Sequence, residues 1–343
     1  MREESRNTYY TLRTGYVIGS LPLGCRYCLL GAKAVIFITG KCLDYCWYCP
    51  ISREKFGKDV VFVNERRVYS LSEIIDEIYR IGGLGAGITG GDPILVLDRT
   101  YNVISMLKKE FGEKFHIHLY TSGKFIDRGV LEILESSGLD EIRFHAYTMD
   151  LIDSIKLALD YDIDVGVELP FIPLKQYIEY LRNILYILDD IGVKFLNLNE
   201  FEVSETNIEN VILHGLTPKG ITIEDAEKKA LEFIKWCAEN TKDIAIHYCT
   251  VEFKDSIQFR LRMLRKAVNT MGLHEIPTRD GTLISIEVIE GHTSHQYTIK
   301  LNNRRFIIPE KAHVLRGSGS RVIIREYYPD QLNKPINVRE IIY

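Results

Sequence analysis

The chain has 343 residues, 46% of them hydrophobic and 26% charged, and its formal net charge is −4 at pH 7. This composition is typical of a folded globular protein and excludes a mainly disordered chain, while the length allows about two domains. No apolar run approaches the roughly 20 residues that a membrane helix needs. The charged start MREESRNTYY lacks the pattern of a signal peptide. We therefore expect a cytoplasmic protein with no membrane segment.

Apolar runs alternate with amphipathic segments along most of the chain. The predicted strands are Ala34–Thr39, Ala86–Thr89, His116–Tyr120, Glu141–His145, Val165–Leu169, Phe195–Asn199 and Ile244–Tyr248. The predicted helices between them are Ser70–Ile81, Val96–Phe111, Gly129–Ser136, Asp150–Leu159, Lys175–Ile191 and Ile223–Asn240. Strands that alternate with helices of about 10–15 residues indicate βαβ units and a parallel sheet. The sequence thus predicts an α/β fold, a partial TIM-type (β/α)6–7 barrel.

The pattern changes after about residue 272, where short β-type runs are separated by Gly, Asn and Ser. They predict a small C-terminal antiparallel β domain. The predicted division is an N-terminal extension with a CxxC pair over 1–32, the barrel over 33–271 and the β domain over 272–343.

Positive charge is concentrated towards the C-terminus. Residues 251–343 contain 15 Lys or Arg against 10 Asp or Glu, whereas the rest contains 28 against 37. A predicted helix over 254–268 includes Arg260, Arg262, Arg265 and Lys266. These side chains could contact RNA phosphates or extend into solvent beside an apolar helix face. The second interpretation is preferred.

Five of the seven cysteines lie between positions 25 and 49. An odd number in a chain of this length does not suit a secreted disulfide scaffold and favours thiolate–metal sites in a reducing compartment. Cys42, Cys46 and Cys49 directly follow the first predicted strand. Three thiolates on so short a loop can hold three irons of one [4Fe–4S] cluster and leave the fourth iron open. A zinc site prefers four ligands in two pairs, which this spacing fits poorly.

The pattern Cys-x3-Cys-x-Tyr48-Cys after a first barrel strand resembles the radical S-adenosylmethionine (SAM) superfamily. The resemblance implies that the open iron chelates the amino and carboxylate groups of SAM. It also implies that the reduced cluster cleaves SAM to methionine and a 5′-deoxyadenosyl radical, which abstracts hydrogen from a substrate. An electron donor of the ferredoxin or flavodoxin type is implied with it.

Later strand ends contain further motifs of this kind. Gly90-Gly91-Asp92-Pro93 resembles the family's Gly-Gly-Glu-Pro motif for the SAM amino group, with Asp92 one methylene shorter. Thr121-Ser122-Gly123 resembles the Thr-Asn-Gly turn of activating enzymes, with Ser122 in place of Asn. His145 could touch the SAM ribose or carboxylate, or could be a core histidine with its hydrogen bonds satisfied. The candidate SAM-binding residues are Tyr48, Gly90, Gly91, Asp92, Thr121 and His145.

A second metal site, for zinc or an auxiliary Fe–S cluster, is predicted around Cys25 and Cys28. Cys249, with His247 beside it, is the candidate second half. Cys28 is expected near the bottom of the barrel and Cys249 near the top, which argues against joining them. The alternative is that these cysteines are thiols without a metal or small buried residues. Cys237 is predicted to be a core residue.

The whole chain resembles archaeal radical SAM proteins related to pyruvate formate-lyase activating enzymes. The resemblance implies a radical SAM enzyme whose substrate is a protein, although fold and cofactor do not determine the substrate. A radical SAM enzyme that modifies RNA or tRNA is one alternative. A non-catalytic Fe–S or zinc protein is another, and it predicts four protein ligands per metal and no SAM binding.

Overall fold

The computed structural model describes residues 8–291, 295–330 and 334–343, so the first part of the MREESRNTYY segment lies outside the described residues. The chain forms two compact units. The first contains the chain up to Leu29, Lys33–Glu77 and Leu84–Ser256, and the second contains Leu30–Ala32, Ile78–Gly83 and Ile257–Tyr343. The division predicted at 32/33 and 271/272 stays a prediction.

The first unit is built on a mixed sheet of eleven strands, with one small additional hairpin, β11–β12. Its strands are β1 Tyr10–Leu12, β2 Gly15–Ile18, β3 Lys33–Thr39, β4 Val61–Val63, β5 Arg66–Val68, β6 Gly85–Gly90, β7 His116–Thr121, β8 Glu141–Phe144, β9 Asp164–Phe171, β10 Phe195–Glu200, β11 Pro218–Lys219, β12 Thr222–Ile223 and β13 Ala245–Cys249. The order in the large sheet is β1-β2-β13-β10-β9-β8-β7-β6-β3-β4-β5.

Strands β3, β6, β7, β8, β9, β10 and β13 are parallel neighbours in chain order. They correspond to the seven predicted strands, so the α/β fold with a partial TIM-type barrel is confirmed. Antiparallel pairing adds β4 and β5 at one edge and β2 and β1 at the other. The periodicity analysis predicted neither edge hairpin, because each strand is only three or four residues long.

The α-helices up to Asn240 are α1 Leu23–Leu29, α2 Leu71–Ile81, α3 Leu97–Phe111, α4 Arg128–Ser136, α5 Ile152–Ala158, α6 Lys175–Asp190, α7 Ile208–Leu213 and α8 Ala226–Asn240. They belong to the first unit, except that the end of α2 from Ile78 onwards belongs to the second. The predicted capping box of α2 forms, because Glu73 accepts hydrogen bonds from the amides of Tyr69 and Ser70 at 2.6 and 3.2 Å. This satisfies amides that an α-helix leaves unpaired at its first turn. Neither α1 nor α7 was predicted.

The two faces of the parallel strands differ in polarity. On β7, Ile117 and Leu119 are fully buried apolar residues, whereas His116, His118 and Tyr120 occupy the alternate positions. Side chains alternate between the faces of a strand, so one face of β7 is apolar and the other is polar. A packed TIM barrel is mainly filled with branched apolar residues. The polar face of β7 departs from this pattern, so its side chains need polar partners or a ligand.

The second unit combines one helix with a six-stranded antiparallel sheet. Its elements are α9 Arg260–Thr270, β14 Glu275–Pro277, β15 Leu283–Glu290, β16 Thr298–Leu301, β17 Arg304–Ile307, β18 Arg321–Tyr327 and β19 Asn337–Ile342, and a π-helical stretch, Phe253–Phe259, precedes α9. The core of this sheet is formed by Ile286, Val288, Ile307, Leu315 and Val322. The predicted C-terminal antiparallel β domain is therefore present.

The basic side chains of α9 are engaged within the second unit. Lys266 is 1% exposed and pairs with Asp330, and Arg262 is also buried. Arg265 donates to the carbonyl of Ile81 at 2.8 Å, and Arg260 donates to that of Arg279 at 3.0 Å. The preferred interpretation of a helix with solvated arginines was wrong, because these residues join α9 to its own unit. In the described part of the chain, no helix is long and apolar enough to cross a membrane.

Glu287 on β15 supplies a pH-dependent contribution to stability. It accepts hydrogen bonds from Arg304, at 2.6 Å, and from Arg325, which lower its pKa to about 2. A carboxyl with a depressed folded pKa stabilises the fold above its unfolded pKa of about 4.3, and this contribution is lost as the pH falls towards 2. We expect Glu287→Gln to cost about 2 kcal/mol at pH 7, a value reduced for the exposed guanidinium of Arg304.

Thermal unfolding at several pH values measures this effect. The Tm curves of wild type and Glu287→Gln should converge between pH 4.3 and pH 2. Glu290→Gln is the matched control on the same strand, because Glu290 is 67% exposed and, among the described residues, pairs with the exposed Arg321. Curves for wild type and Glu287→Gln that stay parallel down to pH 2 would contradict the prediction.

Candidate active site

Cys42, Cys46 and Cys49 lie on the loop that follows the C-terminal end of β3. All three are free, partly buried thiols. Burial raises the pKa of Cys46 to about 11 and also raises the pKa values of Cys42 and Cys49. The neutral thiol is therefore preferred, and a positively charged metal centre would be needed to stabilise the thiolates.

Two glycines at the end of β6 allow that strand to approach the cysteine loop. A Cβ on Gly90 would lie 2.2 Å from the carbonyl oxygen of Thr39, and one on Gly91 would lie 2.0 Å from that of Lys41. The amides of Gly91 and Asp92 donate to these same two carbonyls at 2.8 Å. Any larger residue would displace the loop, so the motif is required for backbone packing.

The Asp92 carboxylate is 1% exposed and is fully engaged by neighbouring groups. It accepts hydrogen bonds from the Thr121 hydroxyl at 3.0 Å, the Ser122 hydroxyl at 2.7 Å and the Ser122 amide at 3.1 Å. It also accepts from the amide of Ile94 at 3.1 Å, as the N-cap of a short 3-10 helix. Burial raises the Asp92 pKa, although these bonds oppose the shift. Asp92 and Thr121, both candidate SAM-binding residues, are therefore in contact.

Tyr48 and His145 also meet, from the first and fourth parallel strand ends. The Tyr48 hydroxyl lies 2.9 Å from His145 Nε2, and His145 Nδ1 lies 3.2 Å from the carbonyl oxygen of Glu168. Burial lowers the pKa of His145 and so favours the neutral ring. A proton on Nδ1 satisfies both contacts, with Nδ1 donating to Glu168 and Nε2 accepting from Tyr48. His145 is thus a hydrogen-bonded histidine that also orients Tyr48.

A polar trio beside the cysteine loop, formed by Asp44, Lys124 and Tyr147, was not predicted from the sequence. Asp44 pairs with Lys124, and the Tyr147 hydroxyl donates to Asp44 at 2.6 Å. Burial alone would raise the pKa of Asp44, but the hydrogen bonds from Lys124 and Tyr147 outweigh it and lower the pKa. Only the position of Asp44 between two of the cysteines could have drawn attention to it.

A cleft of about 640 Å³ opens next to the cysteine loop. The residues of its wall that matter here are Cys46, Trp47, Tyr48, Lys124, Tyr147 and Tyr177. Its volume lies within the range of roughly 300–1,000 Å³ found for small-molecule sites. Its aromatic wall can cover an apolar or planar ligand, and the Asp44–Lys124–Tyr147 trio adds charge at one side.

The segment after β10 packs on the cysteine loop. Asn207 Nδ2 donates to the carbonyl of Tyr48 at 3.0 Å, and Asn210 Nδ2 donates to that of Trp47 at 3.3 Å. The rings of Trp47 and His214 are stacked, with centroids 3.8 Å apart. These contacts hold the cysteine loop in place.

We expect Asn207→Ala to make a metal centre on the cysteine loop labile. Asn207 is fully buried and also joins Ser204 and Glu202 of its own segment, so its loss leaves the Tyr48 carbonyl without this donor. Losing a part-buried hydrogen bond of this kind costs about 0.5–1.5 kcal/mol. Iron loss after reconstitution, followed as decay of the visible absorbance in air, should be at least severalfold faster than in wild type. Asn210→Ala, which removes one longer hydrogen bond, is the control, and equal decay rates in the two variants would contradict the prediction.

Cys25 is buried in the first unit, and Cys28 and Cys249 are partly buried there. Cys25 accepts hydrogen bonds from Asn197 at 3.4 Å and from Arg143 at 3.7 Å. Cys249 ends β13 and pairs in register with Asn199, and burial raises its pKa to about 12. Cys237 is fully buried in α8, the location predicted for it.

Glu168 links the polar groups near Cys25. It pairs with Arg143 at 2.7 Å and accepts from Asn197 and Asn199 at 3.0 and 2.8 Å. Burial alone would raise the Glu168 pKa, but Arg143 and the two amides lower it to about 2. These polar side chains thus form an internal hydrogen-bonded network.

Two comparisons with known proteins match long stretches of this chain. The model of the Radical SAM superfamily matches residues 36–155. A protein of Methanocaldococcus jannaschii, named as a candidate glycyl-radical enzyme activating enzyme, is 38% identical over 278 residues, which cover 77% of this chain and 72% of that protein.

Solved structures match over shorter stretches. Streptococcus suis SuiB bound to S-adenosylmethionine shares 14% identity with a TM-score of 0.46, and the match covers 64% of this chain and 50% of SuiB. Methylornithine synthase shares 14% identity with a TM-score of 0.42, and the match covers 59% of this chain and 61% of the synthase. This chain thus spans half the length of the SuiB chain.

Proposed function

Since this chain belongs to the radical SAM superfamily, we propose that it is an activating enzyme that takes a hydrogen atom from a glycine residue of a partner protein. The superfamily uses a [4Fe–4S] cluster and S-adenosylmethionine. When bound, the cluster supplies the electron that splits SAM into methionine and a 5′-deoxyadenosyl radical, the hydrogen-abstracting species. The name of the M. jannaschii relative supports a protein glycine as the substrate.

The proposal assigns the cluster to Cys42, Cys46 and Cys49. The observation that carries it is the presentation of three free thiols by one loop at the end of the first parallel strand, beside the cleft. Thiolates are the preferred ligands of Fe–S clusters. The residues present therefore fit the group.

The proposal assigns SAM to the space bordered by Tyr48, Gly90, Gly91, Asp92, Thr121 and His145. Gly90 and Gly91 keep the end of β6 against the cysteine loop without side chains in between. Asp92 holds the Thr121–Ser122 turn, so its role towards SAM is to orient this turn as well as to supply negative charge for the ammonium group. His145 fixes the ring of Tyr48 beside the cleft.

Two residues of the cleft are proposed to shape substrate binding. Tyr147 and Lys124 both bind Asp44, which keeps these polar side chains on one wall, while the aromatic side chains exclude water from the reacting centre. Water exclusion protects a radical from side reactions. The electron donor is proposed to be of the ferredoxin or flavodoxin type, and the free thiols favour the reducing cytoplasm as the location.

Two other functions and a second metal site were considered from the sequence. A non-catalytic Fe–S or zinc protein is set aside, because the superfamily consists of SAM-dependent enzymes. Modification of RNA was argued from the basic helix, whose side chains Arg262 and Lys266 are buried. A second metal at Cys25, Cys28 and Cys249 stays a prediction, and Cys25 already accepts two hydrogen bonds.

The test follows the hydrogen atom. The reconstituted enzyme, SAM and dithionite are added to an extract of the source organism grown on glycine deuterated at Cα, and the 5′-deoxyadenosine is analysed by mass spectrometry. Deuterium in the 5′-deoxyadenosine supports a protein glycine as the substrate if it is lost when the extract is first treated with protease and kept when the extract is first treated with ribonuclease. Unlabelled 5′-deoxyadenosine formed at an equal rate after protease treatment overturns the choice of substrate.

A further inference from the structure

Two histidines and a glutamate converge inside the first unit, away from the cysteine loop. His116 and His118 are two residues apart on β7 and share one face, and Glu141 on β8 is the register partner of His118. One ligand atom from each lies within 4.8 Å of the other two, and within the described residues this is the one such group of three. We propose that His116, His118 and Glu141 bind one divalent transition-metal ion of the zinc type.

The unpaired nitrogens of the two rings are the main observation. His118 is 0% exposed and His116 is 7% exposed, yet Nδ1 and Nε2 of His118 and Nε2 of His116 have no hydrogen-bond partner among the described residues. Buried polar atoms are nearly always satisfied, and an exception calls for an ion or a water molecule. Burial lowers the pKa of both histidines. The rings are therefore neutral, which is the form that ligates a metal.

The surrounding groups orient the three ligands. Arg143 Nε donates to Glu141 Oε1 at 2.5 Å, and the other oxygen, Oε2, lies 3.7 Å from His116 Nε2. On the far side of the His116 ring, Nδ1 lies 4.0 Å from Asp140, which Lys108 binds at 2.8 Å. A carboxylate behind a histidine ligand is the usual outer partner at metal sites, and Asp140 would need to move closer than 4.0 Å to accept a hydrogen bond from the His116 ring.

Two glycines provide space for the His118 ring. A Cβ on Gly87 of β6 would lie 2.5 Å from His118 Nε2, and one on Gly24 of α1 would lie 2.5 Å from His118 Cε1. Both β6 and α1 thus have a glycine, without a side chain, where the His118 ring lies. A bulkier residue at either position would fill the space next to the unpaired nitrogens of His118.

Ligand type and position determine the class of ion and its role. Two neutral imidazoles and one carboxylate form a known zinc ligand set, with the fourth position left to water. The ligands stand at the first and third positions of β7 and the first position of β8, whereas the cysteine loop follows the last residue of β3. In parallel barrels the N-terminal end of the strands serves stability, while the chemistry lies at the C-terminal end. The ion would therefore stabilise the barrel, independently of SAM cleavage.

The experiment uses the full chain with Cys42, Cys46 and Cys49 all replaced by Ala, so that the cysteine loop cannot bind zinc. After incubation with ZnCl₂ and gel filtration, we expect on the order of one zinc per chain, with nitrogen and oxygen ligands at about 2.0–2.1 Å and no sulfur at about 2.3 Å in X-ray absorption. His118→Ala and Glu141→Gln should each reduce zinc retention at least tenfold. ZnCl₂ should raise the Tm of the parent chain but not that of Glu141→Gln, which keeps the side-chain shape.

His247→Ala is the matched control. His247 is another buried histidine of this unit. It is 3% exposed, and within the described ranges neither ring nitrogen has a hydrogen-bond partner, but it lies outside the three-residue group. Zinc retained in this variant and lost in His118→Ala supports the site. Sulfur in the zinc shell, equal loss in both histidine variants, or no retention by the parent chain would each overturn it, the first in favour of Cys25 and Cys28.

Discussion

Replacing Cys46 with alanine will reduce 5′-deoxyadenosine formation from SAM to background. The variant removes one of the three thiols assigned to the cluster, and a site with two thiolates on this loop cannot hold a [4Fe–4S] cluster with one open iron. Iron content after anaerobic reconstitution should fall together with the product. The measurement is the iron content per chain and the 5′-deoxyadenosine formed with SAM and dithionite.

Cys237→Ala is the control for this substitution. Cys237 is another free cysteine, but it is fully buried in α8 and remote in sequence from the cysteine loop. It should keep both iron and activity. A Cys46→Ala chain that kept a full cluster and cleaved SAM at the wild-type rate would refute the cluster assignment.

Asp92→Ala is expected to damage the fold and the activity together. Asp92 accepts hydrogen bonds from Thr121, from Ser122 and from the amide of Ile94 in a site that is 1% exposed. Leaving these buried donors unpaired costs about 3 kcal/mol, which lowers Tm by roughly 5–10 °C in a domain of this size. SAM cleavage should fall with it, because the Thr121–Ser122 turn loses its support.

Asp127→Ala is the control for Asp92→Ala, because it removes a helix N-cap without removing a buried carboxylate. Asp127 is the N-cap of α4 and accepts from the amide of Val130 at 2.8 Å, but it is exposed. Its loss should cost only about 1 kcal/mol and should leave SAM cleavage unchanged. If Asp92→Ala lost SAM binding with no change in Tm, Asp92 would serve SAM alone and the supporting role would be wrong.

The parallel strands could be predicted because a pattern within a few consecutive residues marks each of them. A strand that is buried on both faces needs a short continuous run of apolar residues, such as Ala34–Thr39. The helix over Ser70–Ile81 is indicated by its capping box and by the helical spacing of its apolar residues. The location of the cysteine motif after the first strand followed from the same runs. The spacing of three cysteines is likewise a property of a few consecutive residues.

The edge hairpins and α7 could not be predicted in this way. Tyr10–Leu12 and Gly15–Ile18 are too short to show a period, and they become strands because β13 offers an unpaired edge to β2. α7 is six residues long and is held by contacts such as that of Asn207 with Tyr48, 159 positions apart. Isolated helices of this length are unstable in water, so tertiary contacts determine them.

The partners of each polar side chain were likewise decided by the tertiary structure. The sequence by itself determined the family, the barrel and the thiols available to a cluster, because these depend on short stretches of chain. Only the folded structure showed that Asp92 supports the Thr121–Ser122 turn, that Lys266 is buried against Asp330, and that His116 and His118 face Glu141. The physical reason is that burial and pairing set the state of a polar group, and both depend on residues distant in the sequence.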